Sequence, residues 1–317
     1  MIKYEELLVN TKVYKALESD LLEDRLNHCY MIMSEDALAV DGLCTLFARK
    51  ILCKDGGCGN CIACQKVEDG NHECVYEPKN LKADGIREFV DKVYVTGEGD
   101  VKVMIIRNLD KVDVKVQNFL LKSLEEPVEG VVFVLGVQRQ TAVLETVKSR
   151  SKKLAVSPFS KAQLNAYFSE TFRGYSKAVV NEAVDCCMGS LSRCDELLED
   201  EDFSGDMSDV VFLLKGLTST KVNLKMQKRM DIKDGKLVKY LDIMQLICGV
   251  LLKKKTGAEI EGFEKVNPLI DTFNVPTLVN FNELIINAKQ KAESYCKDEN
   301  ILDNLFIKLL EVKYLCR

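Results

Sequence analysis

Five short apolar runs divide the first half of this chain and leave it few ways to fold: Cys29-Tyr30-Met31-Ile32-Met33, Glu73-Cys74-Val75-Tyr76, Val101 to Ile106, Val131 to Leu135 and Lys153 to Val156. Such near-continuous runs read as strands buried on both faces, which means a parallel sheet covered by helices. The connecting segments are long enough to be helical crossovers. One of them repeats Val116, Leu120 and Leu124 at helical spacing and stops before Pro127. The fold class expected is α/β with right-handed crossovers. After Pro158 the strand signal ends and helical periodicity follows, as in Ala178 to Val184.

At 317 residues the chain has room for two or three domains. Asp195 to Asp209 holds eight acidic residues and no basic one around Ser204-Gly205, the composition of a solvated connector, which places a second boundary near residue 205. Residues 215–255 carry eleven Lys or Arg against three Asp; a solvated helical face is favoured there over a nucleic-acid contact. The formal charge of −5 speaks against a duplex-coating protein. No apolar run approaches the ~20 residues needed to span a bilayer, and the first residues lack the apolar stretch of a secretory signal, so a cytoplasmic protein is expected.

Thirteen cysteines accompany two histidines, His28 and His72. Cys29, Cys44, Cys186, Cys187, Cys194, Cys248, Cys296 and Cys316 are scattered through apolar stretches and read as packed small hydrophobes. Cys53, Cys58, Cys61 and Cys64 instead form C-x4-C-x2-C-x2-C, with Gly56, Gly57 and Gly59 between them. Four thiolates at that spacing suit a closed, structural Zn²⁺ site. An iron–sulfur cluster is the competing metal, and its plant-type spacing places the fourth cysteine far away. Cys74 and His72 are spare ligand candidates that read better as strand residues.

The stretch from His28 to Cys53 resembles the strand, phosphate loop and helix of bacterial DNA polymerase III clamp-loader AAA+ subunits, typically H-A-Y-L-F-x-G-P-x-G-x-G-K-T-x-L-A, and runs without a gap into the cysteine cluster, as in that family. Val103 to Ile106 resembles its Walker B strand. Gln117-Asn118-Phe119-Leu120-Leu121-Lys122-Ser123-Leu124-Glu125-Glu126-Pro127 resembles its N-A-L-L-K-x-L-E-E-P helix. Ser149-Arg150-Ser151 stands where the family has S-R-C, and Asn300 to Leu305 resembles the start of its last collar helix. The resemblance covers the first 158 residues well and the rest loosely. It implies a RecA-like AAA+ domain over 1–158 with a zinc module at 53–64, a helical lid over 159–205 and a helical collar over 206–317.

The nucleotide motifs depart from the family. Ser34, Ala37 and Ala39 stand at the glycine positions of the phosphate loop, Val40 at its lysine and Asp41 at its hydroxyl, where phosphates and Mg²⁺ would be held. Arg107-Asn108 replaces the acidic pair of Walker B, and sensor 1 falls at Val137-Gln138. Ser151 replaces the family cysteine, and the first cysteine spacing is four residues where eight is usual. With Ser149-Arg150 kept, the resemblance is to the delta-prime type, a subunit that binds no ATP itself and supplies an arginine finger, here Arg150, to a neighbour. It implies gamma/tau ATPase subunits, a delta subunit, a sliding clamp and primer-template DNA as partners. The alternatives are an active gamma/tau-like ATPase and a zinc-ribbon DNA-binding module.

Overall fold

The computed structural model describes residues 2–94, 101–171, 177–200, 202–217, 236–257, 263–292 and 298–315. The chain divides into two compact units. One holds Met1–Thr171 with Gly189–Asp195, the other Phe172–Met188 with Glu196–Arg317.

The first unit begins with helices α1 (Glu5–Val9) and α2 (Lys12–Leu22). Then follow β1 (Cys29–Met33), α3 (Ala37–Leu52), α4 (Ile62–Glu68), β2 (Val75–Tyr76), α5 (Ala83–Asp91), β3 (Lys102–Ile106), α6 (Val114–Gln117), α7 (Leu121–Glu125), β4 (Val131–Val137), α8 (Glu145–Lys148), β5 (Lys152–Ala155) and α9 (Lys161–Thr171). The five apolar runs are the five strands, in the order β2-β3-β4-β1-β5 with every pairing parallel. β1 lies between β4 and β5, pairing Tyr30 with both Val134 and Lys152. β1, β3 and β4 are buried along their whole lengths, which is why they read as unbroken apolar runs.

Alternate residues serve the two faces. Cys29, Met31, Met104, Ile106, Phe133 and Leu135 join Ile86, Phe89, Leu120 and Leu124 in one layer. On the other face Tyr30 meets Phe47 of α3 edge to face, ring centroids 5.5 Å apart. Cys29, Cys44, Cys186, Cys187, Cys194 and Cys248 are buried as packing residues; Cys296 and Cys316 lie outside the described residues.

The structure departs from the sequence reading in three places. The helix expected through Val116, Leu120 and Leu124 is split by a 3-10 turn, Asn118–Leu120, between α6 and α7. Tightening there leaves Leu120 and Leu124 in the core while the Gln117 amide turns inward to bond loop carbonyls. Cys74 lies in the turn before β2 and His72 just ahead of it, outside any strand, with the Cys74 N–H donating to His72 Nδ1 (3.1 Å).

The third departure is in the second unit, which is helical over its described residues: α10 (Lys177–Cys186), the end of α11 (Leu191–Glu199), α12 (Phe203–Lys215), and helices Lys236–Lys255, Val275–Ala292 and Asp298–Leu315. The acidic stretch expected as a connector is mostly helix. Phe203, Met207 and Val210 face the core, and the buried Asp206 is neutralised by Lys239 and bonded by Tyr240. Of the basic stretch 215–255, residues 218–235 lie outside the described residues.

Candidate functional site

In a parallel sheet ligands bind beyond the carboxyl ends of the strands, where the strand order reverses. Here that place is the turn from β1 into α3 and the loops after β3 and β4. The α3 N-terminus points its free N–H groups there, the position from which a phosphate would be held. Residues of this chain already fill it. Asp36, 7% exposed, caps α3 by accepting from Ala39 N–H (3.3 Å). Val40, at the lysine position, is buried against the sheet, its Cγ1 close under Gly136 of β4. Ser34 and Glu35 line an open cleft of about 430 Å³ with Gln138, Arg139, Gln140 and Thr141.

At the end of β3, where the resemblance sets Walker B, a cation stands among carboxylates. Arg107, at the end of β3, donates to Asp41 Oδ1 (2.7 Å), Asp41 O (3.0 Å) and Thr45 Oγ1 (2.9 Å), and takes Glu77 with Nε and Nη2 (2.7–3.1 Å). Burial opposes its charge, yet the hydrogen bonds and charge of Glu77, with Asp41, raise its pKa further above the usual arginine range. Asp41, which would repel a polyphosphate, is thus paired to a cation that would repel Mg²⁺. Asn108 is bonded by the Gln138 amide (3.1 Å), so the sensor 1 and Walker B positions touch.

Arg150 follows the last turn of α8. Its Nη1 donates to Thr146 O (2.8 Å) and reaches Ser149 Oγ at 3.5 Å; its Nη2 pairs with Glu125 Oε1 at 2.6 Å. The side chain remains 33% exposed. Ser149 donates to Thr146 O (3.1 Å) and Ser151 to Val147 O (2.8 Å), so both serines hold the helix end. The Glu125–Arg150 pair ties the L-E-E-P helix to the S-R segment. Gln117, at the end of α6 in the same motif, ties it to the loop before α8: fully buried, it donates to Val112 O (3.0 Å) and Ala142 O (2.9 Å) and accepts from Leu144 N–H (3.0 Å).

The four cysteines converge. Their sulfurs all lie within 4.8 Å of one another, with Cys53–Cys58 and Cys53–Cys61 at 3.7 Å and Cys58–Cys64 at 3.9 Å. A tetrahedron with 2.3 Å metal–sulfur bonds has edges of about 3.8 Å, so the set fits one four-coordinate ion. Gly56 and Gly57 in the four-residue spacer and Gly59 just after Cys58 adopt positive φ (69°, 86° and 77°), which lets the loop close on itself. Burial would raise the Cys53 thiol, but N–H groups of Cys58, Gly57 and Asp55 aimed at it bring it down to about 6; burial pushes Cys64 up. Beside the loop, the buried Arg49 guanidinium is held by Glu5 and by Glu68 (2.8 Å).

The sequence names the cysteines, Arg150 and the loop from Ser34 to Asp41 as candidates, and of these the structure brings the four cysteines together. The sequence gives no role to Asp36, Glu77, Gln117 or Glu125. The one local signal was an acidic residue just before an apolar helix, the ordinary mark of an N-cap at Asp36.

A family model described as DNA polymerase III, delta subunit, matches residues 9–160. DNA polymerase III subunit delta' of Bacillus subtilis is 30% identical over 155 residues, 46% of this chain and 47% of that one. Subunit delta' of Pseudomonas aeruginosa is 33% identical over 134 residues, 39% and 41% of the two chains. Subunit tau of B. subtilis is 27% identical over 159 residues, 48% and 28%. The matched stretch spans about half the length of these relatives or less. Residues 9–160 are therefore similar to DNA polymerase III subunits, delta' and tau among them.

Proposed function

We propose that this chain is a non-hydrolysing, delta-prime-like subunit of a bacterial DNA polymerase III clamp loader, presenting Arg150 to the nucleotide of a neighbouring ATPase subunit. The observation that carries the reading is the paired exchange at the nucleotide position: Asp41 where a hydroxyl would hold Mg²⁺, ion-paired to Arg107 where a carboxylate would. A single lost motif residue leaves a weakened site. A reciprocal exchange leaves a stable structure with no place for Mg-ATP, and so speaks against the active gamma/tau-like alternative despite the similarity to tau.

The placement of Arg150 supports the finger role. It sits at a helix end with a third of its side chain exposed, and its guanidinium rests on Thr146 O and Glu125, contacts that a neighbour's phosphate would replace. Delivered to a neighbour's γ-phosphate, a guanidinium stabilises the charge that develops in phosphoryl transfer; fingers contribute on the order of 10³–10⁵ in rate. Ser149 supports it by fixing the helix end. Cys53, Cys58, Cys61 and Cys64 would hold a Zn²⁺ that stiffens the loop between α3 and α4 and takes no part in chemistry.

In this reading residues 1–158 form the degenerate AAA+ domain, 159–205 a helical lid and 206–317 a collar. The partners are gamma/tau ATPase subunits and a delta subunit, and the assembly acts on a sliding clamp at primer-template DNA in the cytoplasm. Among the described residues no helix is long and apolar enough to cross a membrane. The test is assembly: mixed with a gamma/tau-type ATPase and a delta-type subunit, the chain is expected to co-elute as one complex, and alone to show no saturable ATP binding. ATP binding by the lone chain, or failure to join the complex, would overturn the proposal.

A further inference from the structure

The four cysteines are carried by the ends of two helices and the loop that joins them. Cys53 caps the C-terminus of α3, its N–H donating to Arg49 O (3.0 Å). Cys61 caps the N-terminus of α4, its Sγ accepting from Cys64 N–H (3.5 Å). The glycines of the loop permit it to close but do not enforce the angle at which α4 leaves it. Neither do the thiolates, which repel one another until a cation stands between them.

One helical turn away on each side, an ion pair bridges the same two helices. Arg49 comes four residues before Cys53 and Glu68 four residues after Cys64, so each shares a helix face with its cysteine. Arg49 Nη1 donates to Glu68 Oε1 (2.8 Å). The same guanidinium forks onto Glu5 of α1, through Nη1 to Oε2 (3.0 Å) and through Nη2 to Oε1. The Arg49 side chain is 3% exposed and that of Glu68 16%, so solvent and salt screen the pair little. The guanidinium also lies beneath the loop: a Cβ on Gly59 would stand 3.6 Å from Nη1. Lys66 of α4 pairs elsewhere, with Glu73 ahead of β2, and both of those side chains are well exposed.

From this geometry we infer that Arg49 and Glu68 are positioning residues of the four-cysteine centre: their ion pair fixes α4 against α3 so that the cysteines stand assembled before a metal arrives. A ligand set already in place leaves less chain to order on binding, and so binds more tightly. Removing either partner does more than delete a contact, because it leaves the other charge buried and unmatched and favours separation of the two helices. The inference rests on the reading of the cysteines as a Zn²⁺ site and is independent of the role of Arg150.

The test uses the full chain, with Zn²⁺ and Co²⁺ as probes, in wild type, Arg49→Met, Glu68→Gln, the double variant and Lys66→Gln. Competition with a chromophoric chelator gives the Zn²⁺ dissociation constant, and Co²⁺ absorption reports the ligand set. Arg49→Met and Glu68→Gln are each expected to weaken Zn²⁺ binding about 10-fold or more, the range for groups that brace metal ligands. The double variant should bind no more weakly than Arg49→Met, since the two residues act as one unit. Lys66→Gln should bind as wild type does. The Co²⁺ spectrum should remain that of four tetrahedral thiolates throughout, because every ligand is kept. Wild-type Zn²⁺ affinity in both single variants, even with a lowered Tm, would leave the pair a structural contact alone and overturn the inference. Absence of the thiolate bands in the wild type would overturn the metal reading and this inference with it. Should Arg49→Met fail to fold, Glu68→Gln decides, since it leaves Glu5 on the guanidinium.

Discussion

Gln117 is the residue whose loss should be felt most, and the structure sets the size of the effect. It is fully buried and makes three good hydrogen bonds, donating to Val112 O and Ala142 O and accepting from Leu144 N–H, with Leu109 O a further 3.5 Å contact. At about 1 kcal/mol net per bond, Gln117→Ala loses about 3 kcal/mol; the stranded groups and the space left behind raise this to about 3–5 kcal/mol. Gln117→Met keeps the volume and removes every bond, so it isolates the hydrogen-bonding part at about 3 kcal/mol. Gln117→Glu can still accept from Leu144 but turns a charge onto two carbonyls, and should cost at least as much as Met. The assay is urea denaturation followed by far-UV circular dichroism, with hydrogen exchange at the Leu144 amide as a local reporter. If the Ala and Met variants both fell within about 1 kcal/mol of wild type, the amide would not be the link between the motif helix and the segment leading to Arg150.

Three further outcomes follow from the same contacts. Gly136→Ala should destabilise by about 1–3 kcal/mol or prevent folding, because a Cβ would lie 2.4 Å from Arg107 O and 2.6 Å from Val40 Cγ1, measured by thermal melting. Removing metal with a strong chelator should lower the Tm, with one equivalent of Zn²⁺ found in the untreated protein by elemental analysis and Cys58→Ser matching the chelated protein. Burial opposes ionisation of Glu68, yet the cationic groups facing it, Arg49 among them, together hold the carboxyl below its usual value; its contribution is therefore present above about pH 4.3 and lost as pH falls through the lowered value. Glu68→Gln should accordingly lower Tm at neutral pH and flatten its fall on acidification.

What could be read from the sequence follows from what determines each feature. β1, β3 and β4 were legible because each is buried along its whole length, so burial leaves a continuous apolar run at one place in the chain. The cysteine centre was legible because its four ligands lie within twelve residues. Asp36 was not, since its partners Leu191 and Ser192 are some 155 positions away and nothing at either place marks the pairing. Arg107 and Asp41 were legible only as two separate departures from a motif. That they compensate each other depends on the sheet bringing the end of β3 beside the second turn of α3. The acidic stretch Asp195 to Asp209 misled because composition does not say which carboxylates meet a lysine; Asp206 meets Lys239 and is buried in a helix.

The central claim is that this chain lends a charge to a neighbour's chemistry and has none of its own. Arg150→Ala tests it most directly, in a loader reconstituted with the ATPase and delta-type partners, by DNA-stimulated ATP hydrolysis at saturating ATP. The account predicts an assembled complex whose turnover falls steeply at the site facing this subunit, with no recovery in Arg150→Lys because a point charge cannot replace the guanidinium fork. An assembled complex that hydrolyses ATP at the wild-type rate would contradict it.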